Sequence, residues 1–310
     1  MTTTLLITAA GSGIGWGYAL AASQQFPQVR IITADTNAAA WCSAAQLASL
    51  HLQWPAFEAG EAYVERLNAL IRAEGVTHYL PIIDPEIAFA SAQRAQIAAG
   101  VLAAEAHFAA LAVAKDRYAV ALAELGIDSP RTLGRADIEA GRPGFAKQPG
   151  SFGGRGVWRI DNPAQLDALP AGAFVQEVLP GPEYTADCFP LGGGEVFTSV
   201  RVRMETKSGV CTKARIAPHA GMEAIAHKLV AGLKLEAPFC FQAMADGERL
   251  AVTDLNPRLG AGTAMSVANG SDFYAAHLAW AFGQPWRERL QRHHERCAVT
   301  RQYVELLSAE

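Results

Sequence analysis

Residues 239–263 read FCFQAMADGERLAVTDLNPRLGAGT, and their reading decides the fold. Two apolar runs, 239–244 and 249–255, are separated by Asp246-Gly247, a strong hairpin signal. Strand side chains alternate faces, so Asp254 and Asn256 point the same way, and Arg258 and a run of glycines follow them. Oxygen ligands suit Mg²⁺, which takes few protein groups and completes its octahedron with water and substrate phosphates. Gln242, on the first strand, supplies a third oxygen only if its face matches that of Asp254. A two-residue turn sets the two on opposite faces, whereas a three-residue loop or a one-residue bulge aligns them. The expectation is therefore an odd-length loop or a bulge around residues 246–248, and a regular two-residue turn would take Gln242 out of the site. An edge hairpin ending in polar residues is the plainer alternative.

Composition sets outer limits. At 310 residues the chain has room for two domains, or for one large core with a lid. A net charge of −4 leaves no basic footprint for nucleic acid. The N-terminal run LLITAAG is too short for a membrane span and lacks the basic flank of a signal peptide, so a cytoplasmic protein without a membrane role is expected. Cys42, Cys188, Cys211, Cys240 and Cys297 are scattered, odd in number and never in a C-x-x-C pair, which reads as buried free thiols in a reducing compartment. The eight histidines form no H-E-x-x-H, and His293-His294 reads as the solvated face of a charged helix.

The first third of the chain is an α/β pattern. A strand over 5–8 leads into AAGSGIGWG, a helix over 18–25 and a strand over 29–34 closed by Asp35. Glycines at such a first turn, with a helix N-terminus behind them, suit an anion. The run 8–15 resembles the T-G-x-x-x-G-I-G turn of short-chain dehydrogenases, with Asp35 placed to meet a ribose. Those enzymes need a tyrosine four residues before a lysine, and none of the seven tyrosines here has one. Trp16 also takes the last glycine's place in G-x-G-x-x-G, so the turn reads as a packing device or a nucleotide site without hydride chemistry. A helix over 60–74, a strand over 78–83 and helical runs over 88–98 and 105–125 follow. Asp84-Pro85-Glu86 stands where open sheets put ligand loops, and these acids either touch substrate or start a helix.

The middle of the chain changes character. Lys115 lies in AVAKDRYAVALAELGI, whose alanines and leucines face a core and whose end Gly126 caps. Phe145-Ala146-Lys147 then precedes QPGSFGGRGV. A lysine ending a strand before a glycine-rich loop suits phosphates, because the ammonium supplies charge and glycine lets backbone N–H groups approach the oxygens. The G-K-[ST] ending of a Walker A loop is absent, and a surface loop is the plainer reading. A strand over 173–178 runs into LPGPEYTAD, with Gln176-Glu177 before a Pro-Gly turn and Glu183 and Asp187 after it. Such a hinge can read adenine through its backbone and ribose through a carboxylate.

Together these segments resemble the ATP-grasp superfamily, from Val113 to about Asn269. The order lysine, glycine loop, E-x-L-x-G-x-E-Y, then acid-x-Asn-Pro-Arg is specific, because the succession of all four is hard to meet by chance. The resemblance implies ATP with Mg²⁺, or Mn²⁺ in its place. It implies Lys115 and Lys147 on the phosphates and the SFGGRG loop, with Ser151, Gly153 and Gly154, closing over them. Gln176, Glu177, Val178 and Leu179 would form the adenine hinge, with Glu183 on the ribose. Gln242, Asp254 and Asn256 match the metal positions, and Arg258 the phosphate contact after them. The chain looks most like the carbamoyl-phosphate-synthase-like branch, where glutamine also holds the first metal position, although Asp254 stands where glutamate is usual. It reads as one grasp module without an amidotransferase domain. The implied fold class is α/β and α+β: a Rossmann-like pre-ATP-grasp domain over 1–112, a lid subdomain over 113–180, and a C-terminal subdomain with the metal site over 181–310.

Between hinge and hairpin, SVRVRMETKSGVCTKARIAP reads as two strands joined by Lys207-Ser208-Gly209. Arg201 and Arg203 share one strand face, and Lys213 and Arg215 share a face of the next. Such cations suit a carboxylate or a γ-phosphate, and the resemblance, through similar proteins that carry R-x-E and K near these places, favours Arg203 and Lys213 to act with Arg258 on developing charge. Solvated strand residues fit at least two of the four equally well. The reaction implied by the resemblance is ligation, in which Mg²⁺-ATP activates a small carboxylate as an acyl phosphate for attack by an amine or another nucleophile. A catalytically silent ATP-binding protein and an NAD(P)-dependent short-chain dehydrogenase are the alternatives. The expected partners are small-molecule carboxylate and amine substrates, with a homodimer through the N-terminal domain as the candidate assembly. The tail over 284–310 reads as a covering helix.

Overall fold

The structure, a computed structural model, describes residues 3–115, 117–148, 156–207 and 209–308. Strands β1 (Thr4–Thr8), β2 (Arg30–Asp35), β3 (Leu50–Gln53), β4 (His78–Leu80) and β5 (Gly100–Val101) form a parallel sheet in the order β3-β2-β1-β4-β5. β1 is buried along its whole length, as a central parallel strand covered on both faces must be. The helices of this domain are α1 (Gly13–Gln25), α2 (Glu61–Glu74) and α3 (Asp84–Ala92). Ser12 caps α1, its hydroxyl accepting from the Gly15 N–H at 3.0 Å. α3 starts at Asp84, earlier than the alanine pattern suggested, because Pro85 in the first turn needs no N–H partner.

The glycine turn after β1 is closed by the protein itself. Asp35 Oδ2 accepts from the Gly11 N–H at 2.8 Å, and Oδ1 accepts from the Asn37 backbone and side-chain amides at 3.0 and 2.8 Å. A Cβ on Gly15 would lie 2.6 Å from Ala10 O, and one on Gly17 would lie 2.5 Å from the Tyr274 ring. The glycines therefore serve close packing, and the dehydrogenase alternative is left without its ribose contact.

Helices α4 (Ala106–Val113) and α5 (Tyr118–Glu124) follow, where periodicity alone suggested one helix; no Pro or Gly marks the break. Phe108, Ala112, Tyr118 and Leu122 pack with Phe239 and Phe241, so this stretch belongs to the C-terminal core and not to the lid. The segment expected as a lid holds a four-stranded antiparallel sheet ordered β6-β9-β7-β8, made of β6 (Thr132–Leu133), β7 (Gly144–Lys147), β8 (Val157–Ile160) and β9 (Phe174–Glu177). Short helices α6 (Arg135–Glu139) and α7 (Pro163–Asp167) cover a small core around Leu133, Ile138, Ala146, Ile160 and Val175.

The C-terminal sheet is antiparallel, in the order β14-β13-β10-β11-β12-β15. Its strands are β10 (Glu183–Gly192), β11 (Glu195–Lys207), β12 (Val210–Ile216), β13 (Phe239–Asp246), β14 (Arg249–Asn256) and β15 (Cys297–Thr300). Helix α8 (Ala220–Leu233) covers one face together with α4 and α5. After α9 (Thr263–Ala268), helix α10 (Phe273–Ala281) crosses to the N-terminal domain, where Phe273, Tyr274 and Leu278 share a core with Leu5, Ile7 and Tyr18. The tail is not the covering helix that its charge pattern suggested. It forms one 3-10 turn (Arg287–Arg289) and then β15, which pairs with β12 and closes that sheet edge. His293 lies against Gly270 in the loop between them. All five thiols are free, four of them buried. Among the described residues no helix is long and apolar enough to cross a membrane.

Candidate active site

Asp246 pairs with Arg249, so β13 and β14 are joined by a regular two-residue turn, with Gly247 at φ +59°. The odd loop expected at residues 246–248 is absent. Continued unbroken, this register would set Gln242 opposite Thr253 and turn Asp254 to the other face. Instead the register slips by one residue: Ala243 opposes Val252, Gln242 opposes Asp254, and Cys240 opposes Asn256. Thr253 is left as a bulge, and Gln242, Asp254 and Asn256 share a face. The bulge is thus real but lies farther along the strand than expected. Its trace is in the sequence: Leu250 and Val252 alternate toward the core, and the next core residue is Leu255, three positions on.

A bulged residue loses its ladder partner, and here the site takes up its carbonyl. Thr253 O accepts from Lys147 Nζ at 3.0 Å and from the Tyr118 hydroxyl at 2.5 Å. Lys115, in the break between α4 and α5, holds its ammonium 3.0 Å from Asp254 Oδ1, an ion pair without hydrogen-bond alignment. Two lysines from separate elements therefore converge on adjacent residues of β14. Burial pushes the Lys147 ammonium below its usual range and Lys115 adds to this, while Asp254 and Glu183 oppose it.

The chain of contacts continues toward the N-terminal domain. Asp254 Oδ2 accepts from Asn256 Nδ2 at 3.3 Å, and Asn256 Oδ1 from Arg258 Nη2 at 3.5 Å. Arg258 Nη2 donates to Asp84 Oδ2 at 3.1 Å, with Nε 2.6 Å from Oδ1 but not aligned as a hydrogen bond. Burial opposes the charge on Arg258, but Asp84 outweighs it and holds the guanidinium above its usual range. Asp84 thus belongs to the site. Glu86 does not: it is buried and accepts from the Tyr63 hydroxyl and, at 2.6 Å, from the Tyr79 hydroxyl.

Gln176 and Glu177, expected in an adenine hinge, end β9. Gln176 is buried, with Oε1 unpaired. Glu177 acts as a strut between lid and hairpin, 2.8 Å from Arg249 Nη1 and accepting from the Arg131 N–H at 2.9 Å. Burial works against its charge, but Arg131 and Arg249 outweigh it and hold its carboxyl below the usual range. Val178 and Leu179 lead to Gly181, whose N–H donates to Ala245 O at 3.0 Å. Glu183, at the start of β10, pairs with Arg203 at 2.5 Å, and Arg203 also donates to Gly209 O at 3.0 Å. Lys213 stands apart from the cluster. Register shifts between Arg203 and Thr206 set Glu205 opposite it, and its side chain is 57% exposed and paired with Glu205 at 2.9 Å. Arg201 is no substrate cation either. It forms a buried ion pair with Asp187, which also accepts from Thr263 and Ser266 at 2.9 and 2.7 Å. A Cβ on Gly262 would lie 2.7 Å from its Nη2, so this network seats the loop after Arg258. Ser151, Gly153 and Gly154 lie outside the described residues.

Gln242, Asp254 and Asn256 offer one carboxylate and two amide oxygens. No group of three His, Cys, Asp or Glu is gathered among the described residues. Asp254 Oδ1 is buried without an aligned donor, its contact being the Lys115 ammonium at 3.0 Å, whose place a metal cation could take. An all-oxygen set with a single carboxylate, leaving positions for phosphates, fits Mg²⁺.

Residues 171–303 match the family model described as ATP-grasp in the biosynthetic pathway with Ter operon. Among solved structures, the biotin carboxylase domain dimer of the Hydrogenobacter thermophilus 2-oxoglutarate carboxylase is 14% identical, with a TM-score of 0.74 over 94% of this chain and 73% of that one. The N5-carboxyaminoimidazole ribonucleotide synthetase of Thermotoga maritima is 15% identical, with a TM-score of 0.72 over 94% of this chain and 78% of that one. The L-amino acid ligase of Bacillus licheniformis is also 15% identical, with a TM-score of 0.72 over 93% of this chain and 76% of that one. No curated protein sequence matches significantly. Residues 171–303 thus resemble an ATP-grasp family, and the chain as a whole shares the fold of these solved structures.

Proposed function

We propose that the protein is an ATP-dependent ligase that activates a small carboxylate as an acyl phosphate for attack by an amine or another nucleophile. The observation that carries this reading is the convergence of Lys115 and Lys147 on the strand face holding Gln242, Asp254 and Asn256, with Arg258 at its end. Two ammonium groups beside one carboxylate suit a polyphosphate. Asp254, Asn256 and Gln242 would hold Mg²⁺, or Mn²⁺ in its place, which would supply charge neutralisation at the phosphates. Lys115 leaves Asp254 for a phosphate oxygen, while the hinge backbone at Val178 and Leu179 meets adenine and Glu183 meets the ribose.

A carboxylate oxygen of the substrate attacks the γ-phosphorus, the bond to the β-phosphate oxygen breaks, and ADP leaves. The amine then attacks the acyl carbon, inorganic phosphate departs, and the amine proton goes to solvent. Arg258, held by Asp84, and Arg203, held by Glu183, are fixed cations for the developing charge, because their partners prevent reorganisation during the step. Lys213 is too exposed for this role. The comparisons support the reading: similar folds occur in an L-amino acid ligase and in a biotin carboxylase domain complexed with MgADP and bicarbonate.

The test is ADP release from Mg²⁺-ATP against a panel of amino acids and small carboxylates. Acid-dependent ADP, lost in Lys147→Ala and in Asp254→Asn, is expected. ATP binding without turnover on any acid would make the protein a nucleotide-binding protein only, and absence of ATP binding would sink the reading altogether.

A further inference from the structure

After Arg258 the chain turns through Leu259, Gly260, Ala261 and Gly262 into α9, and three successive carbonyls of this loop are held. Leu259 O accepts from Arg258 Nη1 at 3.1 Å, Gly260 O from the Tyr274 hydroxyl at 3.2 Å, and Ala261 O from Arg301 Nη2. Arg301 comes from the far end of the chain, as the residue after β15. Its N–H donates to Thr212 O at 2.8 Å, which continues the pairing of β15 with β12. Its side chain is half-buried and, among the described residues, meets no carboxylate.

The chain beyond Arg301 has little core of its own. Tyr303, Val304 and Leu307 are 70%, 80% and 96% exposed, so this segment buries little apolar surface. It is nonetheless tied down again, where Gln46 Nε2 of the N-terminal domain donates to Ser308 Oγ at 2.7 Å. The loop that Arg301 reaches needs a tie. Gly260 and Gly262 flank Ala261, and backbone without side chains turns with little steric hindrance. The Gly260 N–H donates to Thr263 Oγ1 at 3.0 Å, and Gly262 lies against the Arg201 guanidinium. Among the described residues the Ala261 carbonyl between them takes no donor but Arg301.

We propose that Arg301 is a positioning residue of the active site, holding the loop 259–262 so that Leu259 O keeps the Arg258 guanidinium in place beside Asn256. Contacts run from Arg301 through the loop to Arg258, whose Nη2 meets Asn256 Oδ1. The C-terminal segment, expected from its charges to be a cover, thereby serves the reaction without touching substrate. This deepens the ligase reading and rests on it, because it assigns to Arg258 the phosphoryl group that ATP has and ADP lacks.

The experiment is calorimetric titration of the full chain with Mg²⁺-ADP and with the magnesium complex of adenylyl imidodiphosphate, a non-hydrolysable ATP analogue. The wild type should bind the analogue about ten-fold more tightly than ADP, the increment being the γ-phosphate at Arg258. Arg301→Ala should bind Mg²⁺-ADP as the wild type does and lose most of that increment. Millimolar guanidinium should restore it, and Arg301→Lys, which keeps a charged donor, should retain part of it. If Arg301→Ala does not fold, Arg301→Met, which keeps the packing of the stem and removes the donors, should show the same selective loss. A merely structural role would weaken both nucleotides alike. An undiminished increment in the variants, equal loss for both nucleotides, no rescue of Arg301→Ala by guanidinium, or no increment in the wild type would each overturn the inference and leave the ligase reading standing. Failure of the wild type to bind Mg²⁺-ADP would instead remove the ligase reading, and this inference with it.

Discussion

The neutral imidazole of His277 makes a quantitative prediction about acid stability. Buried at 4% exposure, it is pushed down to about 3 from an ordinary 6.5. In the unfolded chain it titrates near its ordinary value, so below that pH the unfolded state binds a proton that the native state refuses. Stability from this residue is therefore complete above about pH 6.5 and is lost as pH falls toward 3, with a slope of about 1.4 kcal/mol per pH unit. Between about pH 7 and pH 5 the loss comes to about 2 kcal/mol. His277→Leu removes the titration and costs about 1–3 kcal/mol at neutral pH, because the Tyr18 hydroxyl loses its partner. Urea unfolding of both proteins across this range should show the variant less stable at pH 7 and the two curves converging near pH 5. All other titrating groups are common to both proteins and cancel in the difference. Parallel loss of stability would refute a neutral buried imidazole.

Tyr118→Phe removes one of two donors to Thr253 O. It should raise the Mg²⁺ concentration needed for half-maximal ADP release by about three- to ten-fold with little change in kcat, whereas a merely structural role would lower both alike. Lys115→Ala should abolish acid-dependent ADP release yet strengthen Mn²⁺ binding in the absence of nucleotide, read by electron paramagnetic resonance, because Lys115 competes with the cation for Asp254. Weaker Mn²⁺ binding would contradict that competition. Gly15→Ala forces a Cβ against Ala10 O and should cost about 1–3 kcal/mol in thermal unfolding without altering ATP affinity; an ATP defect with normal stability would mean the turn binds ligand after all.

Much of this molecule was legible in the chain itself. The alternation in 239–256 and Asp254-x-Asn256-Pro257-Arg258 announced the hairpin and its polar end, and a lysine closing β7 before glycines announced the second cation. These are local signals, set by side-chain alternation and by what a turn's backbone demands. What they left open depended on distant partners. The break that carries Lys115 to Asp254 has no Pro or Gly, and Tyr118 looked like any core aromatic until its hydroxyl met Thr253 O. Asp35 closes the glycine turn on Gly11, Asp84 pairs with Arg258 across the domain boundary, and the charged tail became an edge strand because β12 had an open side. The sequence by itself determined which residue types stand at the site and in what order. Only the tertiary structure decided that Gln242 faces Asp254, because strand register is set by how Leu250, Val252 and Leu255 reach one core, and a one-residue slip at Thr253 satisfies that packing while bringing Gln242, Asp254 and Asn256 onto one face.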